Sequence, residues 1–184
     1  MINDKIIVAG FGGQGALRIG QMIAYAAISQ GLEAEWLPSY GAEMRGGTAN
    51  CNVTVSDEEI TFPMITEPDC CIIMNDLSLD RFGDSIKEGG MLILNSDIVT
   101  KESARTDLQI YKVPSDEIAE KGGNKRGSNM VLLGAYIAVK GGIELESIYD
   151  IIRHSFTGSK AKFVDSNIAL VKAGYDYIQE NYNG

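Results

Sequence analysis

Three cysteines, four prolines and a single histidine in 184 residues leave this chain short of the raw material of most reactive centres. An iron–sulfur cluster takes about four thiolates. Cys51, Cys70 and Cys71 form neither a C-x-x-C nor any metal-ligand spacing. Cys70 and Cys71 are neighbours in an expected strand, so their side chains point to opposite faces and cannot share one metal ion. All three are expected as small buried hydrophobes in a reducing cytoplasm. The prolines are too few for a Pro-rich stalk, and 21 glycines without a triplet period exclude collagen. The longest apolar runs, at 6–9, 130–133 and 135–139, fall far below the roughly 20 residues of a membrane helix.

Positive charge is scarce as well. Sixteen Lys and Arg against 25 Asp and Glu give a net charge of −9, whereas a protein gripping nucleic-acid phosphates needs the opposite balance or a dense basic patch. Lys121, Lys125 and Arg126 are too small a patch, so no nucleic acid is expected. The opening Met-Ile-Asn-Asp-Lys carries no basic segment or cleavage site, and a soluble, cytoplasmic protein is the expectation. His154 stands near an expected helix end without a nucleophile or acid at a motif spacing, and no nucleophile elbow or P-loop lysine occurs. No catalytic residue and no metal ligand are assigned to this chain.

What is present suffices for one core. Apolar residues make up 45% of the chain, and this length suits a single domain over 1–184. Apolar runs and alternation predict strands at 5–9, 34–37, 48–55, 59–62, 70–74, 91–94 and 108–113, with 48–55 and 59–62 forming an antiparallel hairpin around Ser56-Asp57-Glu58. Helical spacing predicts helices at 14–29, 77–82, 129–140, 145–155 and 163–182. Continuous apolar strands alternating with helices indicate an α/β fold, a three-layer α/β/α sandwich. Its sheet should be mixed but mostly parallel, with the C-terminal helices covering it.

Two segments carry chemistry. Gly10-Phe11-Gly12-Gly13-Gln14-Gly15 satisfies G-x-G-x-x-G between a strand and a helix. Glycines allow positive φ and close approach, and free N–H groups at a helix start attract an anion. A dinucleotide site also wants a carboxylate at the end of the second strand, but Glu33 and Glu35 stand at its beginning and Trp36-Leu37-Pro38-Ser39-Tyr40 at its end. Tight strand-to-helix packing is the structural alternative for these glycines. The second segment is Tyr40-Gly41-Ala42-Glu43-Met44-Arg45-Gly46-Gly47-Thr48-Ala49-Asn50, too polar for core. Glu43 is an acceptor, Arg45 a planar fork for a carboxylate or phosphate, and Asn50 an amide that does both. Pairing of Glu43 and Arg45 across a subunit interface is an equal use. Lys125-Arg126-Gly127-Ser128-Asn129 precedes a helix, with Ser128 placed as N-cap. A second anion site and plain capping are both compatible with it.

Together, the glycine loop, Trp36-Leu37-Pro38-Ser39-Tyr40-Gly41 and Glu43-Met44-Arg45-Gly46-Gly47-Thr48-Ala49-Asn50-Cys51 resemble the gamma subunit of 2-oxoacid:ferredoxin (acceptor) oxidoreductases. Gly89-Gly90 and Asn129 at a helix start fit too, so the resemblance spans nearly the whole chain. Ala42 departs from the usual proline. The resemblance implies a multi-subunit enzyme that oxidatively decarboxylates a 2-oxoacid on thiamine diphosphate, hands the acyl group to coenzyme A and passes electrons through iron–sulfur clusters to ferredoxin. It places thiamine diphosphate on alpha and beta subunits and clusters on partners including a ferredoxin-like delta subunit. This chain is left without a bound cofactor, as an accessory subunit lining the coenzyme A cavity. The wording of the two segments is more similar to the 2-oxoglutarate and branched-chain type than to the pyruvate type. The cavity residues so implied are Gly10, Gly12, Gly13, Gln14, Gly15, Tyr40, Gly41, Glu43, Arg45, Gly46, Gly47, Asn50 and Asn129. Whether the isolated chain self-associates stays open, and an independent dinucleotide-binding oxidoreductase is the rival reading.

Overall fold

The computed structural model describes residues 2–40, 47–62 and 64–182. Six strands, β1 (Asn3–Phe11), β2 (Glu33–Tyr40), β3 (Thr48–Ser56), β4 (Cys70–Ile73), β5 (Met91–Asn95) and β6 (Gln109–Val113), form one sheet in the order β2-β3-β1-β4-β5-β6. Five run the same way, and β3 runs against both of its neighbours. The mixed, mostly parallel sheet is therefore as expected. The hairpin partner is not. β3 already has β1 on one edge and β2 on the other, so residues 59–62 find no free edge and form no strand.

Alternation along β3 assigns the faces. Cys51, Val53 and Val55 join Ile6 and Val8 on one side, where α1 (Ala16–Ser29), α4 (Ser128–Lys140), α5 (Leu145–Ser155) and α6 (Val164–Tyr182) build the larger core. Ile7, Ala9, Cys71 and Ile73 face the other side. That side holds a smaller core under α2 (Asp76–Phe82), with Leu79, Ile86 and Val99. The short α3 (Ser115–Lys121) was not expected, because it buries only Ser115 and Ala119 and so shows no apolar period.

α4 and α6 cross with their backbones nearly touching. A Cβ on Gly134 would stand 1.9 Å from the Val171 carbonyl oxygen, and one on Gly174 1.9 Å from that of Val131. Only glycine fits at either position. At the amino end of the sheet, α4 is tied to β1: Tyr136 Oη donates to Asp4 Oδ2 at 2.6 Å, and Lys140 Nζ lies 2.9 Å from Asp4 Oδ1. Burial would lower the Lys140 pKa, but the Asp4 carboxylate, with Asp69 and Cys70 adding to it, more than offsets this and leaves it raised.

The two sheet edges are closed differently. On β6 the Tyr182 hydroxyl accepts from Lys112 N at 2.9 Å and donates to Lys112 O at 3.1 Å. On β2 the edge carries Glu33, Glu35 and Pro38, residues that blunt strand pairing.

Candidate functional site at the glycine loop

The loop after β1 is held from both sides. Gln14 Oε1 accepts from Phe11 N at 2.5 Å and from Asn75 Nδ2 at 3.2 Å, while Gln14 Nε2 donates to Met74 O at 3.1 Å. Its amide therefore positions the loop against the β4–α2 junction. Gly13 and Gly15 need their positive φ of 95° and 85°. Gly10 is required by packing instead, since a Cβ there would meet Gln14 Oε1 at 2.8 Å and Met74 Cβ at 3.0 Å. Gly15 is the N-cap of α1 and supplies no side-chain cap. The N–H groups of Ala16 and Leu17 thus lack an intrahelical partner, which is the arrangement that attracts an anion.

The second segment comes to the first. Gly12 N donates to Gly47 O at 3.2 Å, and Phe11 pairs with Thr48 across the β1–β3 ladder. Between them opens a cleft of about 290 Å³, lined by Gly12, Gly13, Gly15, Arg18, Ser39 and Thr48 among others. Thr48, one of these residues, accepts at Oγ1 from Arg81 at 3.3 Å. Tyr40 ends β2 opposite Ala49. Asn50 is buried on the sheet face away from α1, paired with Ala9 and Ser39, and does not line this cleft. Gly41, Glu43, Arg45 and Gly46 lie outside the described residues.

A nicotinamide-type site would need a ribose-binding carboxylate beside the loop. The antiparallel β3 separates β1 from β2, which moves the end of β2 roughly 10 Å from β1 at the usual strand spacing. Glu33 and Glu35 sit at the far end of β2, opposite Ser56 and Thr54. The sheet order removes the residue that the dinucleotide reading requires.

On the other side of the loop, Asn129 packs against Gly15: a Cβ on Gly15 would stand 2.4 Å from Asn129 Nδ2. Ser128 is not the N-cap of α4. Gly127 holds that place without a side-chain cap, and the Ser128 hydroxyl instead meets that of Ser115 at 2.8 Å. Gly127 packs against Leu170 of α6, whose side chain would have to shift to admit a Cβ there. Arg18 escaped sequence reading, although it is the one cation in the first turn of the helix that follows the glycine loop.

The cysteines do not suit a cluster. Cys51 and Cys70 face the larger core and Cys71 the smaller. Burial pushes Cys51 and Cys71 up to about 12 and raises Cys70 as well, which disfavours the thiolates that ligate metal. Among the described residues no group of three or more His, Cys, Asp or Glu is placed to hold a metal ion. None of their helices is long and apolar enough to cross a membrane.

Residues 5–177 match the family described as pyruvate ferredoxin/flavodoxin oxidoreductase. The ketoisovalerate oxidoreductase subunit VorA of Methanothermobacter thermautotrophicus is 38% identical over 98% of this chain, which spans only 37% of that relative. The 2-oxoglutarate synthase subunit KorC of Methanothermobacter marburgensis is 33% identical, over 97% of this chain and 98% of the relative. Among solved structures, a keto/oxoacid ferredoxin oxidoreductase gamma subunit from Geobacter sulfurreducens superposes with a TM-score of 0.80 and 28% identity, covering 94% of this chain and 96% of that one.

Proposed function

The chain belongs to the pyruvate ferredoxin/flavodoxin oxidoreductase family, and from that premise we propose that it is the gamma-type component of a 2-oxoacid:ferredoxin oxidoreductase. In this role it contributes no catalytic residue. It completes the assembly and lines the cavity where coenzyme A meets the acyl group. The 33% identity with KorC over 97% of this chain supports a complex of the 2-oxoglutarate type. VorA, of which it spans about a third, carries the matching region inside a longer polypeptide. The proposed partners are thiamine-binding alpha and beta subunits and a ferredoxin-like delta subunit. Thiamine diphosphate and clusters would reside there, since the buried protonated thiols here do not fit a cluster.

One observation carries the reading: an uncapped helix start, presented by two positive-φ glycines, faces a cleft bounded by the second loop. Coenzyme A brings phosphates, and the N–H groups of Ala16 and Leu17 with the Arg18 guanidinium are donors that match them. The chain's own work is to bind and orient this co-substrate. Gln14 holds the loop in register, and the Gly12–Gly47 bond keeps the two loops together.

Arg45→Ala in the reconstituted complex tests the proposal. The expected result is a KM for coenzyme A raised about tenfold, the cost of one charged hydrogen bond, or impaired assembly. Unchanged assembly and unchanged KM would overturn the assignment. Titrating the chain with NAD(H), NADP(H) and FAD should show no tight stoichiometric binding, and such binding would restore the dinucleotide reading. Turnover assays with 2-oxoglutarate, 2-oxoisovalerate and pyruvate identify the substrate.

A further inference from the structure

Most cations of this acidic chain are neutralised locally: Lys87, Lys101, Arg105, Lys112, Lys121, Lys125, Lys140, Arg153 and Lys172 each meet a carboxylate. Lys5, Arg18, Arg81, Arg126, Lys160 and Lys162 form no ion pair among the described residues. Two of these six meet at one cleft. Arg18 and Arg126 line a cleft of about 240 Å³ between α1, α4 and α6, together with Asn129, Phe156, Phe163 and Asn167. Lys160 and Lys162 belong to the 3-10 segment Gly158–Phe163 that delivers Phe163 to it. Among the described residues no carboxylate lines the cleft.

The polar groups inside keep donors free for a ligand's acceptors. Asn129 is 8% exposed, lines the cleft, and its amide has no hydrogen-bond partner among the described residues. It is the second residue of the 13-residue α4, whose N-cap Gly127 brings no side chain to its free N–H groups. Asn167, 4% exposed, already accepts from Asn124 through Oδ1, which leaves its Nδ2 hydrogens to donate. Flat apolar surface completes the set. The Arg18 guanidinium lies 5.1 Å from the Phe156 ring centroid, and Phe163 is 43% exposed.

We propose that this cleft binds the phosphorylated nucleoside end of a ligand, its phosphate between Arg126, Asn129 and the start of α4, its base against Phe163. A bare anion would leave both rings and much of the volume unfilled. The site is separate from the glycine-loop cleft but shares Arg18 with it. One molecule can therefore reach both, and a free nucleotide can occupy this one alone. The proposal rests on the coenzyme A reading only for which of these two sources supplies the nucleoside.

Calorimetric titration of the full chain with adenosine 3′,5′-bisphosphate tests it, with inorganic phosphate and coenzyme A as the other arms. Saturable one-to-one binding is expected, weakened about tenfold or more by Arg126→Ala and reduced by Phe163→Ala. The exposed control Lys172→Ala should leave it unchanged. Competition by coenzyme A would identify the cleft as that ligand's nucleotide end. Arg126-sensitive binding without such competition would keep the site, assign it to a free nucleotide and count against the coenzyme A reading. Binding of coenzyme A unaffected by Arg126→Ala, with none of the bisphosphate, would overturn this proposal and leave the glycine-loop reading standing. Phosphate binding as tight as the bisphosphate would overturn the nucleoside component.

Discussion

The two ends of the sheet handle their polar groups in opposite ways, and α4 reaches both. At the amino end, Asp4, Tyr136 and Lys140 satisfy one another beside a small hollow of about 210 Å³. At the carboxyl end, Asn129, Arg18 and Arg126 leave donors unspent beside open clefts. Buried polar groups that close on each other fix structure, whereas those left open are available to a ligand. The same helix is thus stapled at its last turn and held ready at its first.

Asp4→Ala should break this contrast most severely. It leaves the Tyr136 hydroxyl buried without an acceptor and Lys140 without its carboxylate, at a cost of about 3–5 kcal/mol. A thermal melt would register this as a drop of roughly 10 °C for a domain of this size. Gly134→Ala attacks the crossing that sets where both ends of α4 lie, and should cost about 3 kcal/mol by denaturant titration, since the obstacle is the Val171 backbone.

Alkali separates the two ends more gently. Tyr136 and Lys140 at the amino end have raised pKa values, as do the buried thiols. The unfolded chain loses these protons first, so stability is full below about pH 9 and declines as pH rises toward 12. Replacing Cys51, whose pKa is raised from 9.0 to about 12, with Ala should flatten part of that decline in a pH series of melts. Arg126→Ala, at the open end, should have the smallest structural effect, within about 0.5 kcal/mol. A large loss of stability there would show that its donors serve the fold after all.

Much of this was legible in the chain itself. The glycine loop, the apolar strands and the long helices follow from local period, and α5 starts and stops where its pattern says. What escaped is non-local. That β3 would be flanked on both sides depends on β1, more than 35 residues earlier at their closest pairing, Phe11 with Thr48. No local signal shows that an edge is already taken. Ser128 had the right type and place for a cap, but Ser115 competes for its hydroxyl. The cleft of Arg18, Asn129, Phe156 and Phe163 unites residues over 100 positions apart, so no spacing rule could assemble it. Arg18 alone was within reach, as a cation just inside a helix that follows a glycine loop.

A single phenol near the end of α6 has a reach beyond its own fold. By occupying both backbone groups of Lys112, Tyr182 denies a seventh strand one flank of the ladder, while Pro38 and two glutamates discourage it on the opposite flank. Prolonging the sheet is thereby discouraged on both flanks, and loops, helices and faces stay the accessible surfaces for any contact. Removing that ring would offer growing aggregates the template that this architecture withholds.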